Sequence, residues 1–367
     1  MRLLYITNQI CGSGGLERVL SIKASSLAEH YGYDVHILTL NQGNSPLFYN
    51  FSDKLKYHDI QVNGRSINGF IQYFKKIRKT VGIIKPDVIA VCDDGLKAFF
   101  LPLLLSKPCP MVYERHVSKN IVLKSEKPSL RQRLIANFTF SLMNFGGKQY
   151  DKFVVLTNGN LNEWDLINTM VIPNPLSFYP SKFSDNKSKT VLAVGRHSFQ
   201  KGYDRLIKSW EIVNKSYPDW KLEIYGKIDS KQTYIKMAEE MGLSQTIHFY
   251  KPVKNIQEKY NEASIYVMSS RFEGFGMVLI EAMAYGLPCV TYNCPYGPGE
   301  LVSHKEDGLV VDNGNINEFA DCIIHLIKES KVRSMMGIKA REKAKLFMPN
   351  TIVKKWDDLF KHLTNDK

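Results

Sequence analysis

The stretch Ser270-Arg271-Phe272-Glu273-Gly274-Phe275-Gly276-Met277-Val278-Leu279-Ile280-Glu281-Ala282 decides how this chain is read. Gly274 and Gly276 flank an aromatic residue, so the backbone can turn sharply and come close to a ligand. Met277 to Ala284 then runs without Gly or Pro until Gly286-Leu287-Pro288, which reads as a helix and its stop. A glycine turn opening a helix offers free backbone N–H groups and the positive end of a dipole, a setting that suits a diphosphate. Glu273 precedes the turn, placed for a ligand at the helix mouth. Glu281 follows about two helical turns later, placed for a ligand along the helix side. On the glycines alone, a buried loop and a core helix explain the stretch equally well.

Upstream, Thr190-Val191-Leu192-Ala193-Val194 reads as a strand that ends in Gly195-Arg196-His197 and continues to Lys201-Gly202. Cations past a strand end can neutralise a departing diphosphate, Arg with two oxygens at once and Lys as a point charge. Two surface cations are the plainer explanation. Further strands are expected at Trp220–Tyr225, Thr246–Tyr250, Ser264–Ser269, Pro288–Tyr292 and Leu309–Val311. Helices are expected at Tyr203–Tyr217, Ile235–Met241, Asn317–Ser330, Val332–Lys345 and Thr351–Leu363. Ahead of this region, Val171-Ile172-Pro173-Asn174-Pro175 and the polar Ser181–Lys189 read as a domain end and a linker.

The N-terminal half alternates short β-rich runs (Arg2–Asn8, Asp34–Leu40, Asp87–Val91, Met111–Tyr113, Lys152–Thr157) with helical patterns such as Glu17–His30 and Gly69–Gly82. That alternation predicts a parallel sheet covered by helices. Three loops follow strand ends, where open α/β sheets bind ligands. The first is Cys11-Gly12-Ser13-Gly14-Gly15-Leu16-Glu17-Arg18, an incomplete G-x-G-x-x-G because Arg18 is not Gly. The second is Asp93-Asp94-Gly95. The third is Tyr113-Glu114-Arg115-His116, in which a structural histidine is the plainer reading and Glu114 and Arg115 can equally make a surface ion pair.

The central stretch resembles the E-x7-E signature of the retaining family 4 glycosyltransferases, with Glu273 and Glu281 at the acidic positions. Gly195, Arg196, Lys201 and Gly202 are similar to that family's G-R-x4-K pattern. Gly286-Leu287-Pro288-Cys289-Val290, Asp307-Gly308-Leu309-Val310 and the Gly14-Gly15 loop resemble it too. The resemblance is strongest over 190–312, good over 1–30 and weak over 40–150, the stretch that usually recognises the acceptor. It implies an α/β chain of GT-B fold, two Rossmann-like domains with parallel sheets facing a cleft, divided at 1–175 and 176–350. A C-terminal helix, 351–367, would return to the first domain.

The same resemblance implies the site. Glu273 and His116 would orient the donor sugar, Arg196 and Lys201 would stabilise the diphosphate, and Glu281 would hold the ribose. Gly14, Gly15, Gly274, Phe275, Gly276, Met277 and Val278 would line the donor, with Val253 beside the base. No cofactor or metal is implied; Asp93-Asp94 is adjacent rather than an Asp-x-Asp pair. Cys294-Pro295-Tyr296-Gly297-Pro298-Gly299-Glu300 is similar to a C-P-x-G-P-x-E segment of bacterial enzymes that build lipid-linked oligosaccharides and surface polysaccharides. The implied reaction moves GalNAc, GlcNAc or Gal from a UDP-sugar to a hydroxyl of a glycan or lipid-linked acceptor. A UDP-sugar epimerase, a phosphorylase or a non-catalytic nucleotide-sugar binder of the same fold are the alternatives.

Composition agrees with a globular enzyme: 367 residues, 44% hydrophobic and 23% charged. No apolar run is long enough to span a bilayer, and the start is too quickly polar for a secretory signal. Six cysteines without metal spacing fit a reducing cytoplasm. The net charge is +13, and residues 1–180 carry 21 Lys and Arg against 13 Asp and Glu. No nucleic-acid motif accompanies it. The Gly69–Gly82 helix (Phe70, Ile71, Phe74, Ile77, Val81 among Lys75, Lys76, Arg78, Lys79) reads as amphipathic. So does the stretch with Lys119, Ile121, Val122, Leu123, Lys124, Lys127, Leu130, Arg131, Arg133, Leu134 and Ile135. Both read either as helices packed on the sheet with basic outer faces or as contacts with anionic lipid on the inner face of the cell membrane.

Overall fold

The computed structural model describes residues 1–62, 67–119 and 128–365. Their contacts separate into two units. The first runs from Met1 to Lys119, resumes at Pro128–Ser177 and regains the chain at Pro349; the second spans Phe178–Met348.

Seven strands form the sheet of the first unit: β1 (Arg2–Ile6), β2 (Asp34–Leu40), β3 (Lys56–Ile60), β4 (Val88–Val91), β5 (Met111–Glu114), β6 (Lys152–Val155) and β7 (Thr169–Val171). Their order is β3-β2-β1-β4-β5-β6-β7, every pair parallel. Strands β1 and β4 are apolar on both faces, as burial on both sides requires. The sequence pattern missed β3 and β7. Both are edge strands, and the Lys-Tyr-His-Asp-Ile of β3 is mostly exposed, so neither carries a continuous apolar run.

The helices of this unit are α1 (Gly15–His30), α2 (Ile67–Ile84), α3 (Leu101–Leu105), α4 (Leu130–Gly147) and α5 (Asn158–Leu161), joined by a closing helix at Pro349–Asn365. Helix α4 begins where Ser129 and Gln132 cap it reciprocally, Gln132 N donating to Ser129 Oγ at 3.3 Å and Ser129 N to Gln132 Oε1 at 2.8 Å. The closing helix lies on α1: Tyr33 donates to Asp357 Oδ1 at 2.9 Å, and Trp356 and Phe360 complete the core around Leu3, Tyr5 and Leu27.

The second unit holds β8 (Thr190–Val194), β9 (Lys221–Tyr225), β10 (Ile247–Tyr250), β11 (Ile265–Met268), β12 (Cys289–Tyr292) and β13 (Gly308–Val311). These form a parallel sheet of order β10-β9-β8-β11-β12-β13. Its helices are α6 (Tyr203–Ser216), α7 (Thr233–Glu240), α8 (Ile256–Glu262), α9 (Met277–Ala284), α10 (Pro298–Leu301), α11 (Ile316–Lys328) and α12 (Ser330–Ala344); the closing helix is thus α13. Trp210 anchors the core, fully buried with its indole N–H on Thr246 Oγ1 at 3.2 Å. In each sheet the order reverses after the first strand in sequence, the arrangement of a doubly wound Rossmann-like domain. Two such parallel-sheet units are the GT-B architecture the sequence predicts.

Two expectations change. Ser181–Lys189 is not a free linker: Ser184 and Asn186 are buried, Ser184 N donates to Tyr285 O at 3.0 Å, and Asn186 Nδ2 donates to Gly286 O at 3.1 Å. Lys119 does not belong to a basic outer face. It is buried, donates to Asn144 Oδ1 at 2.9 Å and to Glu163 O at 2.5 Å, and sits 4.1 Å from the Trp164 ring centre. Burial pulls its pKa down to about 8. Ile121, Val122, Leu123, Lys124 and Lys127 lie outside the described residues.

Candidate active site

In the second unit the central stretch is the loop between β11 and α9. Gly276 is the N-cap of α9 at φ +110°, a conformation that favours glycine, and Met277 and Val278 form the half-buried first turn. The first N–H groups of a helix have no partner inside it, so this turn can face an anion. Phe275 is buried against Phe347, with ring centres 5.7 Å apart.

Glu273 is fixed from several sides. Its Oε1 accepts from Lys201 Nζ at 2.7 Å and from Ser270 Oγ at 2.6 Å, and its Oε2 lies 3.5 Å from Gln200 Nε2. Its backbone N donates to Pro295 O at 2.8 Å and its carbonyl accepts from Tyr296 N at 3.1 Å. Lys201 is therefore joined to Glu273 by a direct ion pair, with side-chain exposures of 17% and 8%. An ammonium has three donors, so the pair leaves two for an incoming anion.

The loop carrying Lys201 is fastened to the loop carrying Glu273 by a residue that sequence reading passed over. Arg271 grips Asp204 through two bonds, 2.8 and 2.7 Å, and donates to Phe199 O at 2.9 Å. Its backbone N donates to Gln200 O at 2.7 Å, and Ser269 Oγ donates to Lys201 O at 2.8 Å. The guanidinium holds the Asp204 carboxyl below the usual carboxylate range against the opposing effect of burial, which is the largest influence on it. Gly202 makes the close approach feasible. It sits at φ +63°, and a Cβ there would fall 2.2 Å from Ser269 O.

Arg196 stands exposed two residues beyond β8, after Gly195, whose N–H is held by Tyr225 O at 2.9 Å. Val253 is exposed in the loop after β10. Glu281 has no exposed surface. Its Oε2 accepts from Tyr260 at 3.2 Å, in the interior between α9 and α8. The structure thus brings Lys201, Glu273, Ser270 and Gln200 together, and leaves Glu281 behind the first turn of α9.

In the first unit, Gly14 is the N-cap of α1 and Gly15 its first residue, both exposed. His116 lies just beyond β5. Glu114 and Arg115 are not a surface ion pair: both are buried and they point to different partners. Arg115 Nη1 donates to Asp94 O at 3.1 Å. Glu114 Oε2 pairs with Lys23 of α1 and lies 3.3 Å from His116 Nε2. Lys23 is itself wholly buried, 3.9 Å from the Trp356 ring centre and 5.1 Å from that of Tyr5. Burial pushes the Glu114 carboxyl up, but the Lys23 and His116 charges and hydrogen bonds outweigh it and hold the carboxyl low.

Cys92, Glu114 and His116 place ligand atoms within 4.8 Å of one another. The Lys23 ammonium already neutralises Glu114 there, and burial pushes the Cys92 thiol up, so this donor set is poorly suited to a dication. Asp93 is likewise committed, accepting from Asn8 Nδ2 at 2.6 Å and Gly95 N at 2.8 Å. Its burial is what raises its pKa. All six cysteines are free thiols.

The family described as glycosyl transferases group 1 matches residues 178–343, which span both Lys201 and Glu273. An amylovoran biosynthesis glycosyltransferase of Erwinia amylovora is 30% identical over 371 residues, 98% of this chain and 99% of that protein. The chain belongs to the group 1 glycosyltransferases. A further relative, an uncharacterised glycosyltransferase of Haemophilus influenzae, is 29% identical over 96% of this chain and 97% of its own. Among solved structures, a sucrose-phosphate synthase of Thermosynechococcus elongatus superposes with a TM-score of 0.85 at 18% identity, each chain covered completely. HepE of Anabaena in complex with UDP gives 0.76 at 18% identity over 99% and 100% of the two chains. The two solved structures share the two-sheet fold described above. No helix among the described residues is long and apolar enough to cross a membrane.

Proposed function

We propose that this glycosyltransferase moves a hexose or N-acetylhexosamine from a UDP-sugar, with retention at the anomeric carbon, to a hydroxyl of a glycan or lipid-linked acceptor in polysaccharide assembly. The observation that carries this reading is the Lys201–Glu273 pair, 2.7 Å apart, whose glutamate sits on the loop that opens into the first turn of α9. A half-buried ammonium beside a helix N-terminus is suited to the charge that builds on a departing diphosphate. A carboxylate held by Ser270 and Gln200 is suited to sugar hydroxyls. The amylovoran relative supports polysaccharide assembly, and the UDP held by HepE supports the uridine donor.

The residues then divide the work. Lys201 and the exposed Arg196 neutralise the diphosphate, the N–H groups of Met277 and Val278 add to this, and Glu273 orients the sugar. His116 lies just beyond β5, its imidazole steadied by Glu114. Glu281, which accepts from Tyr260, holds the ribose. The leaving diphosphate takes the acceptor proton on the face it departs from. The protein supplies position and charge stabilisation and no covalent nucleophile. The reading needs no metal, because Lys201, Arg196 and a helix end perform the neutralisation.

Proton NMR of the sugar first released or transferred from an α-linked UDP-sugar tests it. The account expects the α anomer in EDTA-containing buffer. A β product would overturn retention, and equilibration between two UDP-sugars without release of UDP would replace transfer by epimerisation.

A further inference from the structure

Helix α4 is apolar on two faces. At about 100° per residue, Ala136, Met143 and Gly147 fall on the side that packs onto the first unit. Leu130, Leu134, Phe138 and Phe145 fall within an arc of roughly 80° on the opposite side. They are 75%, 62%, 67% and 53% exposed. Single exposed leucines are ordinary, but a stripe of four large side chains along one helix marks a surface built to be covered.

The surroundings identify the cover. The connections β3 to β4, β4 to β5 and β5 to β6 all run the same way across the sheet, so right-handed crossovers put α2, α3 and α4 on one side of it. Helix α2 touches α3, and α4 packs against Phe99 of the short 3-10 turn Leu96–Phe100 that leads into α3. No acidic residue occurs in α2, in Leu96–Leu105 or in α4. Six cations on α2 and α4 are exposed: Lys75, Lys76, Arg78, Lys79, Arg131 and Arg133. Phe70, Ile71 and Ile83 of α2 and Leu103 of α3 are exposed beside them. A second copy of this chain would bring the same cations against each other. Nucleic acid would cover the cations and leave Leu134 and Phe138 in water.

We infer that this side of the first unit docks on an anionic bilayer, with the Leu130–Leu134–Phe138–Phe145 stripe entering the headgroup–acyl boundary and the flanking lysines and arginines meeting lipid phosphates. Basic residues around an apolar helix face are the composition of an interfacial anchor. Docking of this kind holds the enzyme where a lipid-linked acceptor presents its sugar. The inference is independent of which nucleotide sugar is bound.

Vesicle co-sedimentation of the full chain tests it, using phosphatidylcholine vesicles with and without phosphatidylglycerol. The wild-type chain should pellet with the anionic vesicles, less so as salt rises, and scarcely with the neutral ones. Leu134→Gln and Phe138→Gln should each lower the partition coefficient about tenfold, the scale of one large apolar side chain kept in water. Arg131→Glu with Arg133→Glu should lower it by at least about tenfold, since each basic residue near the surface is worth about fivefold. Thermal midpoint and UDP binding of each variant serve as controls for folding and should not move. Absence of pelleting, equal pelleting with both vesicle types, or variants that pellet like wild type would overturn the inference. So would a self-association, seen by sedimentation velocity without lipid, that the same substitutions abolish.

Discussion

Replacing Lys23 by Met should destabilise the first unit severely and in a pH-dependent way. The side chain sits in α1 with 1% exposure, pairs with the equally buried Glu114, and lies 3.9 Å from the Trp356 ring centre. Methionine keeps the length of the stem and removes the charge. Removing one partner of a buried ion pair costs about 3–5 kcal/mol, because the other charge stays buried. For a unit of this size each kcal/mol lowers the midpoint by roughly 2–4 °C, so a fall of roughly 6–20 °C is expected.

The pH dependence follows from Glu114. In the wild type its carboxyl is held below the unfolded value, so its stabilising contribution is present above about pH 4.3 and fades as pH falls through the lower folded value. Without Lys23, burial dominates and the folded value rises above the unfolded one. The variant then loses stability as pH rises from about 4.3 towards neutrality. Urea unfolding followed by circular dichroism at pH 5 and pH 8 should show a larger deficit at pH 8. Lys23→Met with Glu114→Gln should recover most of it. A single variant within about 0.5 kcal/mol of wild type, or a deficit equal at both pH values, would refute the reasoning.

Two further predictions concern the second unit. Lys201→Ala should lower turnover at least about a hundredfold, the scale of one lost transition-state charge contact, with near-normal turnover removing it from the site. Gly202→Ala should cost about 2–4 kcal/mol, from a left-handed backbone and a Cβ driven into a neighbouring carbonyl. An unchanged unfolding midpoint would show that the Lys201 and Glu273 loops are not in that contact.

Much of this was legible in the chain. Apart from the edge strands β3 and β7, the strands of both units read from their apolar runs because parallel strands are buried on both faces, as in Val88–Val91. Glu273, Lys201 and the α9 turn stand out through the resemblance to the family 4 glycosyltransferases; glycine and charge at strand ends alone leave a core loop and surface cations as equal or plainer readings. What failed did so for physical reasons. Edge strand β3 carries no apolar run. Lys119 sits in a basic stretch, and only the tertiary fold shows that Asn144, Glu163 and Trp164 enclose it. Lys23 did leave a signal: it falls at helical spacing among Val19, Leu20, Ala24 and Leu27, so a lone cation lies on the buried face of α1. On the outer face of α4 the sequence marked Leu130 and Leu134 but not Phe138 and Phe145, because residues apolar on opposite sides weaken the helical periodicity that marks an amphipathic helix.

The central claim is a uridine diphosphate site built on Lys201, Glu273 and the opening turn of α9. Calorimetric titration with UDP, GDP and ADP in EDTA, on wild type and Lys201→Ala, tests it most directly. The account predicts saturable binding of UDP by the wild type, little or none of the other two, and marked weakening in the variant. Binding of no nucleotide, or UDP binding that Lys201→Ala leaves untouched, would contradict it.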